Sequence, residues 1–459
     1  MVGVSAVLHF LVDGVCACCL SLLAGSAGLM GLLGVFMTYN VLAFLTQPLT
    51  GMLADRVQRR HWLLLTSVGL LSVGVLTAAV VAGLWPSSRA GLFAVAVLLG
   101  MGNSLFHVWG GKCVAVLTGN DIRALGTFVS TGVLGLTVGI LFPSWWLLGA
   151  LLIGFALISS VECRVENVEF RVESVEFRVE SVEFATAVDA AAVANSPLST
   201  LHSPRSGSKL YTLHSPLLKW LLVVALMAFV LLRSFVGETF SSSVGGAALL
   251  LAVTAMVGKM AGGWLAKGLG LLWAAVVMVA VVVACLLFVP SPWAMFLGLF
   301  MVNCTMPVTL YLANVALPGR EGLAFGLLAA ALMPGYLLAQ FTGDVVGMLP
   351  RLLMTLVPTV VIEYGVLVAL GERRADVRWS SLVVNILTNV PLNIFVTFVS
   401  DSLTAIVAGE LLVVAVEALW YYYFVGNARR ALVYSFLCNA ISLHIGLLLQ
   451  LLTTLIVIV

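Results

Sequence analysis

The sequence predicts an all-α polytopic membrane protein, and three observations carry that prediction. Of 459 residues, 62% are hydrophobic and only 9% are charged, against about a quarter charged in a soluble domain. Apolar runs of roughly 18 residues or more, long enough to cross a bilayer as helices, recur from end to end. The short polar–apolar alternation of membrane β-barrels is absent from the sequence.

The opening stretch MVGVSAVLHFLVDGVCACCLSLLAG lacks the basic region of a cleaved signal peptide and carries His9 and Asp13, so it reads as a permanent first helix. Apolar runs broken by Gly, Pro and charge place about twelve spans before residue 371. The first six are 4–25, 28–52, 61–84, 91–117, 124–142 and 144–160. After a long interruption come 217–236, 243–265, 270–289, 293–316, 322–341 and 351–370. About three more follow at 380–399, 403–424 and 431–456. The expected domains are therefore two six-helix bundles, 1–161 and 217–371, and a three-helix membrane extension, 379–459.

Residues 162–216 form the cytoplasmic interruption. CRVENVEFRVESVEFRVESVEF repeats a seven-residue unit with too few apolar seam positions for a coiled coil. It reads as a duplicated low-complexity insert in a tolerant loop, followed by the Pro/Ser-rich linker NSPLSTLHSPRSGSKLYTLHSP. The eight cysteines are scattered, and Cys16, Cys18 and Cys19 read as small filler in an apolar helix.

Net charge is +2, and its location says more than its sum. Short cytoplasmic loops collect Lys and Arg. With the N-terminus inside, the inner loops receive Arg56, Arg59, Arg60, Arg123, Lys267, Arg320, Arg373, Arg374, Arg378, Arg429 and Arg430. The interruption adds Arg164, Arg171, Arg178, Arg205, Lys209 and Lys219, whereas the outer loops receive only Arg89 and Arg351. The expected location is an integral, multi-pass place in a bacterial inner (plasma) membrane, with a cytoplasmic N-terminus and an outside C-terminus.

One loop is too charged to be an ordinary connection. TGMLADRVQRR joins the second and third spans, and its Gly51, Leu53, Ala54, Asp55, Arg56, Arg59 and Arg60 resemble the signature loop of the major facilitator superfamily. Gln58 departs from the glycine of that signature. GKMAGGWLAKGLG echoes the loop at the equivalent place in the second half, with Lys267 in place of aspartate. The resemblance implies two helical bundles that rock about a midplane site. Asp55 is then expected against the N-terminus of a helix in the opposite bundle, where the dipole and free N–H groups favour an anion. The helix opening at GREGLAFG is the natural partner. Arg59 and Arg60 would hold the loop, or serve only to anchor topology.

Ionisable groups at membrane depth are costly and usually functional. His9 and Asp13 are four residues apart on the first span, and Asn103 and His107 share a face of the fourth. Arg233 lies within the seventh span. Lys112 and Lys259 read as lysines that snorkel to an interface. LHFLVD, GNSLFHVWGGK, LLRSF and NCTMPVTLYLANVALPGREGLAFGL resemble the fosmidomycin-resistance-type branch, whose members are proton-coupled exporters of small molecules. In that reading Asp13 carries the proton, His9 and His107 tune it or bind substrate beside Asn103, and Arg233 supplies a counter-charge. Structural roles stay open for each.

The last three spans carry polar stripes: Asn385, Asn389 and Asn393, then Glu410 and Glu417, then Asn439 and Ser442. Such stripes pack the spans on one another or line a small hydrated site. Glu363, in the middle of the twelfth span, is a candidate partner for them.

The expected activity is secondary transport of a small organic molecule, proton-coupled and outward, with the bilayer, protons and substrate as partners. A membrane sensor or scaffold on the same fold, or an intramembrane enzyme using His9, Asp13 and His107, remains open. No glycine-rich phosphate loop or nucleophile elbow is present. No enzyme activity, cofactor, metal or nucleic acid is expected, and oligomeric state is left open. The topology is testable with a reporter that fluoresces only in the cytoplasm. Fused after Arg374 it should be bright and after Val459 dark; a bright signal at Val459 contradicts the span count.

Overall fold

The structure, a computed structural model, describes residues 2–24, 29–57, 61–86, 88–164, 215–244, 247–287, 291–340, 359–398 and 402–442. Most of the interruption, Arg59, Arg60, Arg351 and the second half of the last span lie outside the described residues. Among the described residues every regular element is helical, and ten helices are long and apolar enough to cross a membrane. The protein is an all-α polytopic membrane protein.

The first half runs α1 (Val2–Ala24), α2 (Leu29–Asn40), a π-helical turn at Val41–Leu45, α3 (Gln47–Arg56), α4 (His61–Leu84) and α5 (Arg89–Leu117). It continues with α6 (Ile122–Ser130), α7 (Gly132–Leu141) and α8 (Trp145–Arg164). Two expected spans of this half are thus interrupted helices: α2 and α3 meet at the π-turn, and α6 and α7 at Thr131. The second half runs α9 (Pro216–Val244), α10 (Ala248–Leu269), α11 (Leu271–Leu287), α12 (Pro292–Ala316), α13 (Glu321–Ala330), α14 (Leu332–Gln340) and α15 (Thr359–Ala369). The extension comprises α16 (Ala375–Phe398), α17 (Leu403–Val425) and α18 (residues 428–442).

Lipid tails are as apolar as leucine, so hydrophobicity alone does not pair these helices; close packing does. Leu76, Ile153 and Leu272 stay exposed as lipid-facing side chains, while Phe106, Trp109, Phe128 and Phe155 are buried together. Phe106 meets Phe155 edge-on at 5.7 Å between centroids and Phe128 at 6.4 Å. Within the halves α1 packs on α7, α4 on α5, and α10 on α12.

Two seams join the halves, α3 against α13 and α6 against α10. Both need missing side chains. A Cβ on Gly322 would lie 2.7 Å from the Gly51 carbonyl oxygen, and one on Gly263 would lie 2.6 Å from that of Ile122. The seams are counterparts: each sets the C-terminal end of a signature-loop helix against the N-terminal start of a helix in the other half. The extension joins this framework through α16 on α9 and α17 on α3.

Close helix contact gives a direct test at Gly262, where an added Cβ would collide with the Cys304 carbonyl oxygen, while Gly268 has open space. Gly262→Val should destabilise the protein by about 1–3 kcal/mol, read as a lowered thermal midpoint in detergent. Gly268→Ala should leave the midpoint within a degree or two. Equal midpoints for both variants would contradict the α10–α12 packing.

Candidate functional site

Helical spacing builds the first cluster. His9 and Asp13 stand one turn apart on α1, and Asn103 and His107 one turn apart on α5. The structure brings all four together. His9 Nε2 lies 3.3 Å from Asp13 Oδ2, and His107 Nε2 lies 3.5 Å from Asp13 Oδ1. Asn103 Nδ2 donates to Asp13 Oδ1 at 3.1 Å.

The other ring nitrogens fix the histidines' tautomers. His9 Nδ1 meets the Phe128 carbonyl oxygen at 2.7 Å, and His107 Nδ1 meets that of Asn103 at 2.9 Å. A carbonyl only accepts, so each Nδ1 carries the hydrogen and each Nε2 presents a lone pair in the neutral ring. Those two Nε2 atoms face one another at 2.9 Å. Two lone pairs at that distance repel, and the Asp13 carboxylate beside them is a third acceptor. One added proton between the rings makes an N–H···N bond, and Asp13 balances its charge. The three ligand atoms also lie within 4.8 Å of one another. They would suit a transition metal, with both imidazoles already oriented by carbonyls. No metal was expected from sequence; the geometry admits one.

Arg233 on α9 is only 7% exposed, and its Nε has no hydrogen-bond partner. The counter-charge expected of it is not delivered by contact, because Asp13 pairs with His9 and His107 instead. Lys259 was missed as a site residue. It sits about 15 Å from either end of the 22-residue α10, well beyond the roughly 6 Å that a lysine stem reaches. It acts electrostatically on both Asp13 and Arg233. Its mid-span position was the available signal.

The second cluster lies at the Asp55 end. The Asp55 side chain, 3% exposed, accepts from the backbone N–H groups of Gly322 and Leu323, both at 2.9 Å. The residue before α13, Arg320, caps no N–H with its side chain. Asp55 therefore supplies from one half the cap that α13 lacks in the other. The counterpart seam has Lys267 at the equivalent place, and α6 is capped locally: Asp121 Oδ1 accepts from Arg123 N at 2.9 Å. Hydrogen bonds from Arg123 hold the Asp121 carboxyl down to about 2. Lys112, near the end of α5, reaches the same site. Its Nζ donates to the Ala54 carbonyl at 2.6 Å and lies 3.6 Å from Asp55 Oδ1. Arg56 Nη2 donates to the Tyr422 carbonyl at 3.0 Å.

The extension stripes converge only in part. Glu363 and Glu417 are fully buried. Asn385 Nδ2 donates to Glu363 Oε2 at 2.6 Å and Asn389 Nδ2 to Asn385 Oδ1 at 2.7 Å. Thr388 donates to Glu417 Oε1 at 3.0 Å, and Asn439 donates to Glu417 Oε2. Glu410 is half-buried and joins none of these hydrogen bonds, since it lies two turns from Glu417 toward the lipid-exposed start of α17. The Asn393 side chain lies outside the described residues.

No protein-family model matches the chain, and no curated protein matches it. Solved structures similar to it include a variant of the E. coli fucose:proton symporter FucP, at 14% identity and TM-score 0.47, covering 75% of this chain and 92% of that one. FucP, a major facilitator superfamily transporter, in its outward conformation matches at 14% and 0.43, over 74% and 92%. A bacterial homologue of the iron transporter ferroportin, in an outward-facing state, matches at 16% and 0.35, over 97% and 99%. At these TM-scores none of the three bears on function.

Proposed function

We propose that the protein is a secondary active transporter that moves a small organic molecule by alternating access, coupled to protons at His9, Asp13 and His107. The observation that carries this reading is the 2.9 Å approach of two imidazole lone pairs beside a carboxylate at membrane depth. A proton placed between the two rings relieves the repulsion of their lone pairs, and the Asp13 carboxylate beside them is its counter-ion. Asn103 orients the carboxylate.

The Asp55 contact is the gate in this mechanism. Asp55 reaches from the first half onto the α13 N-terminus of the second. Separating the halves at this end breaks two charge-assisted hydrogen bonds, each about 1.5–3 kcal/mol, and uncovers a helix terminus. Closure at this end is thus a defined state rather than a gradual approach. The positive-inside pattern makes it the cytoplasmic end, and export is the direction the sequence resemblance implies.

Inside-out vesicles bathed in a small-molecule extract of the host test this, with accumulation in the lumen read by mass spectrometry. An imposed pH gradient should drive about tenfold accumulation per pH unit for a one-proton exchange, and a chelator should change nothing. Asp13→Asn should abolish gradient-driven accumulation while leaving exchange without net proton flow. Gradient-driven accumulation in Asp13→Asn places the proton elsewhere, and chelator-sensitive transport assigns the triad to a metal. No gradient-dependent compound with the wild type contradicts transport.

A further inference from the structure

Among the described residues, two cations at membrane depth form no ion pair. Arg233 on α9 and Lys259 on α10 are absent from the ion pairs among the described residues. Arg233 is more than nine-tenths buried with an orphaned Nε. The two repel one another, and among the described residues the carboxylate that acts on Lys259 is Asp13. Asp13 is already committed to His9, His107 and Asn103. A buried cation left alone costs several kcal/mol, and two like charges in reach of each other add to that. Topology does not need them, because neither is near the end of its helix.

We propose that Arg233 and Lys259 form the anion subsite of the transport cavity, so that the transported molecule carries a carboxylate or phosphoryl group. This rests on the transporter reading. The chemistry is complementary: a guanidinium offers a planar fork of N–H donors to two oxygens, and an ammonium adds a compact charge. Both belong to the second half, whereas the proton cluster belongs to the first. The ligand's charge and the proton therefore sit on opposite walls, and a ligand between them is held by both halves.

Binding is measured on the purified full-length protein in detergent, by thermal midpoint, with inorganic phosphate, acetate and citrate against chloride at equal ionic strength. At least one anion should raise the midpoint by a few degrees near 100 times its Kd. Arg233→Gln and Lys259→Gln should each remove that shift with unchanged circular dichroism, Lys259→Arg should keep most of it, and Asp13→Asn should keep it. No shift with any anion, or equal shifts in both Gln variants, overturns the subsite. In the vesicle assay the accumulated compound should be anionic at pH 7; a neutral or cationic one overturns the proposal while transport stands. Anion binding that depends on both residues, without transport, leaves the subsite and removes the transporter reading.

A separate observation concerns the end of α17. Tyr423 Oη donates to Asp55 Oδ2 at 3.2 Å, and the Arg56 guanidinium lies 4.6 Å from the Tyr422 ring centroid. Arg320, from the other side of the seam, lies 4.4 Å from the Phe424 centroid. One aromatic run thus touches both sides of the gate. The geometry points to the extension as a strap that favours the closed gate. Hydrogen exchange at residues 319–326, which include the two amides on Asp55, tests it. Tyr423→Phe and Phe424→Ala should each raise exchange severalfold without changing α1 or α5. Exchange equal to wild type in both variants overturns the strap.

Discussion

The contact between Asp55 and the first N–H groups of α13 is the constraint on which the rest of the structure turns. A helix start buried without acceptors is costly, and α13 has no side chain of its own to meet its amides. The acceptor comes from the other half, 2.9 Å away. That contact fixes how deeply α3 must lie on α13, hence why Gly51 and Gly322 carry no side chain at the crossing. It also fixes where Lys112 and Tyr423 can make their contacts. The second seam lacks this dependence because Asp121 caps α6 from within. The two seams are geometrical counterparts but chemically unequal, and the charged one is the better switch.

Around the His9–Asp13–His107 cluster, charge at depth is divided between the halves. The first holds the acceptors His9, Asp13 and His107; the second holds Arg233 and Lys259. Neither wall is electrically satisfied alone, which is unusual for buried groups and costly unless a mobile species completes it. In the proposed transporter a proton completes the first wall and an anion the second. Alternating access needs such incompleteness, because a cavity whose polar groups were all paired would have nothing to exchange.

Much of the fold was legible in sequence because its signals are local. Apolar runs gave the spans, and four-residue spacing put His9 with Asp13 and Asn103 with His107. The meeting of α1 with α5 was not local, and nothing in either span specifies that both Nε2 atoms converge. Asp55 was legible through the signature loop. Tyr423 was not, since nothing in YYYF specifies a contact with Asp55 until α17 is laid against α3. Lys259 was misread because snorkelling was assumed without measuring its distance to the helix end. Lys112, five residues from the end of α5, was missed as a partner of Asp55 because the meeting of α3 with α5 is not local. Glu410 failed for the opposite reason, as helical phase placed it with Glu417 while the bundle buries only the later turn.

The central claim is that the halves separate at the Asp55 end and that the Asp55 carboxylate holds them together. Leu117 ends α5 in the first half, Leu269 ends α10 in the second, and both are exposed. Spin labels there, measured by pulsed dipolar spectroscopy in nanodiscs, report that separation directly. Wild type should show a dominant short distance with a minor longer one. Asp55→Asn, which keeps size but removes the charge from the α13 terminus, should move the population toward the longer distance by about 1–2 kcal/mol, or roughly five- to thirtyfold. A single distance, identical in wild type and Asp55→Asn across pH 5 to 8, would contradict the account.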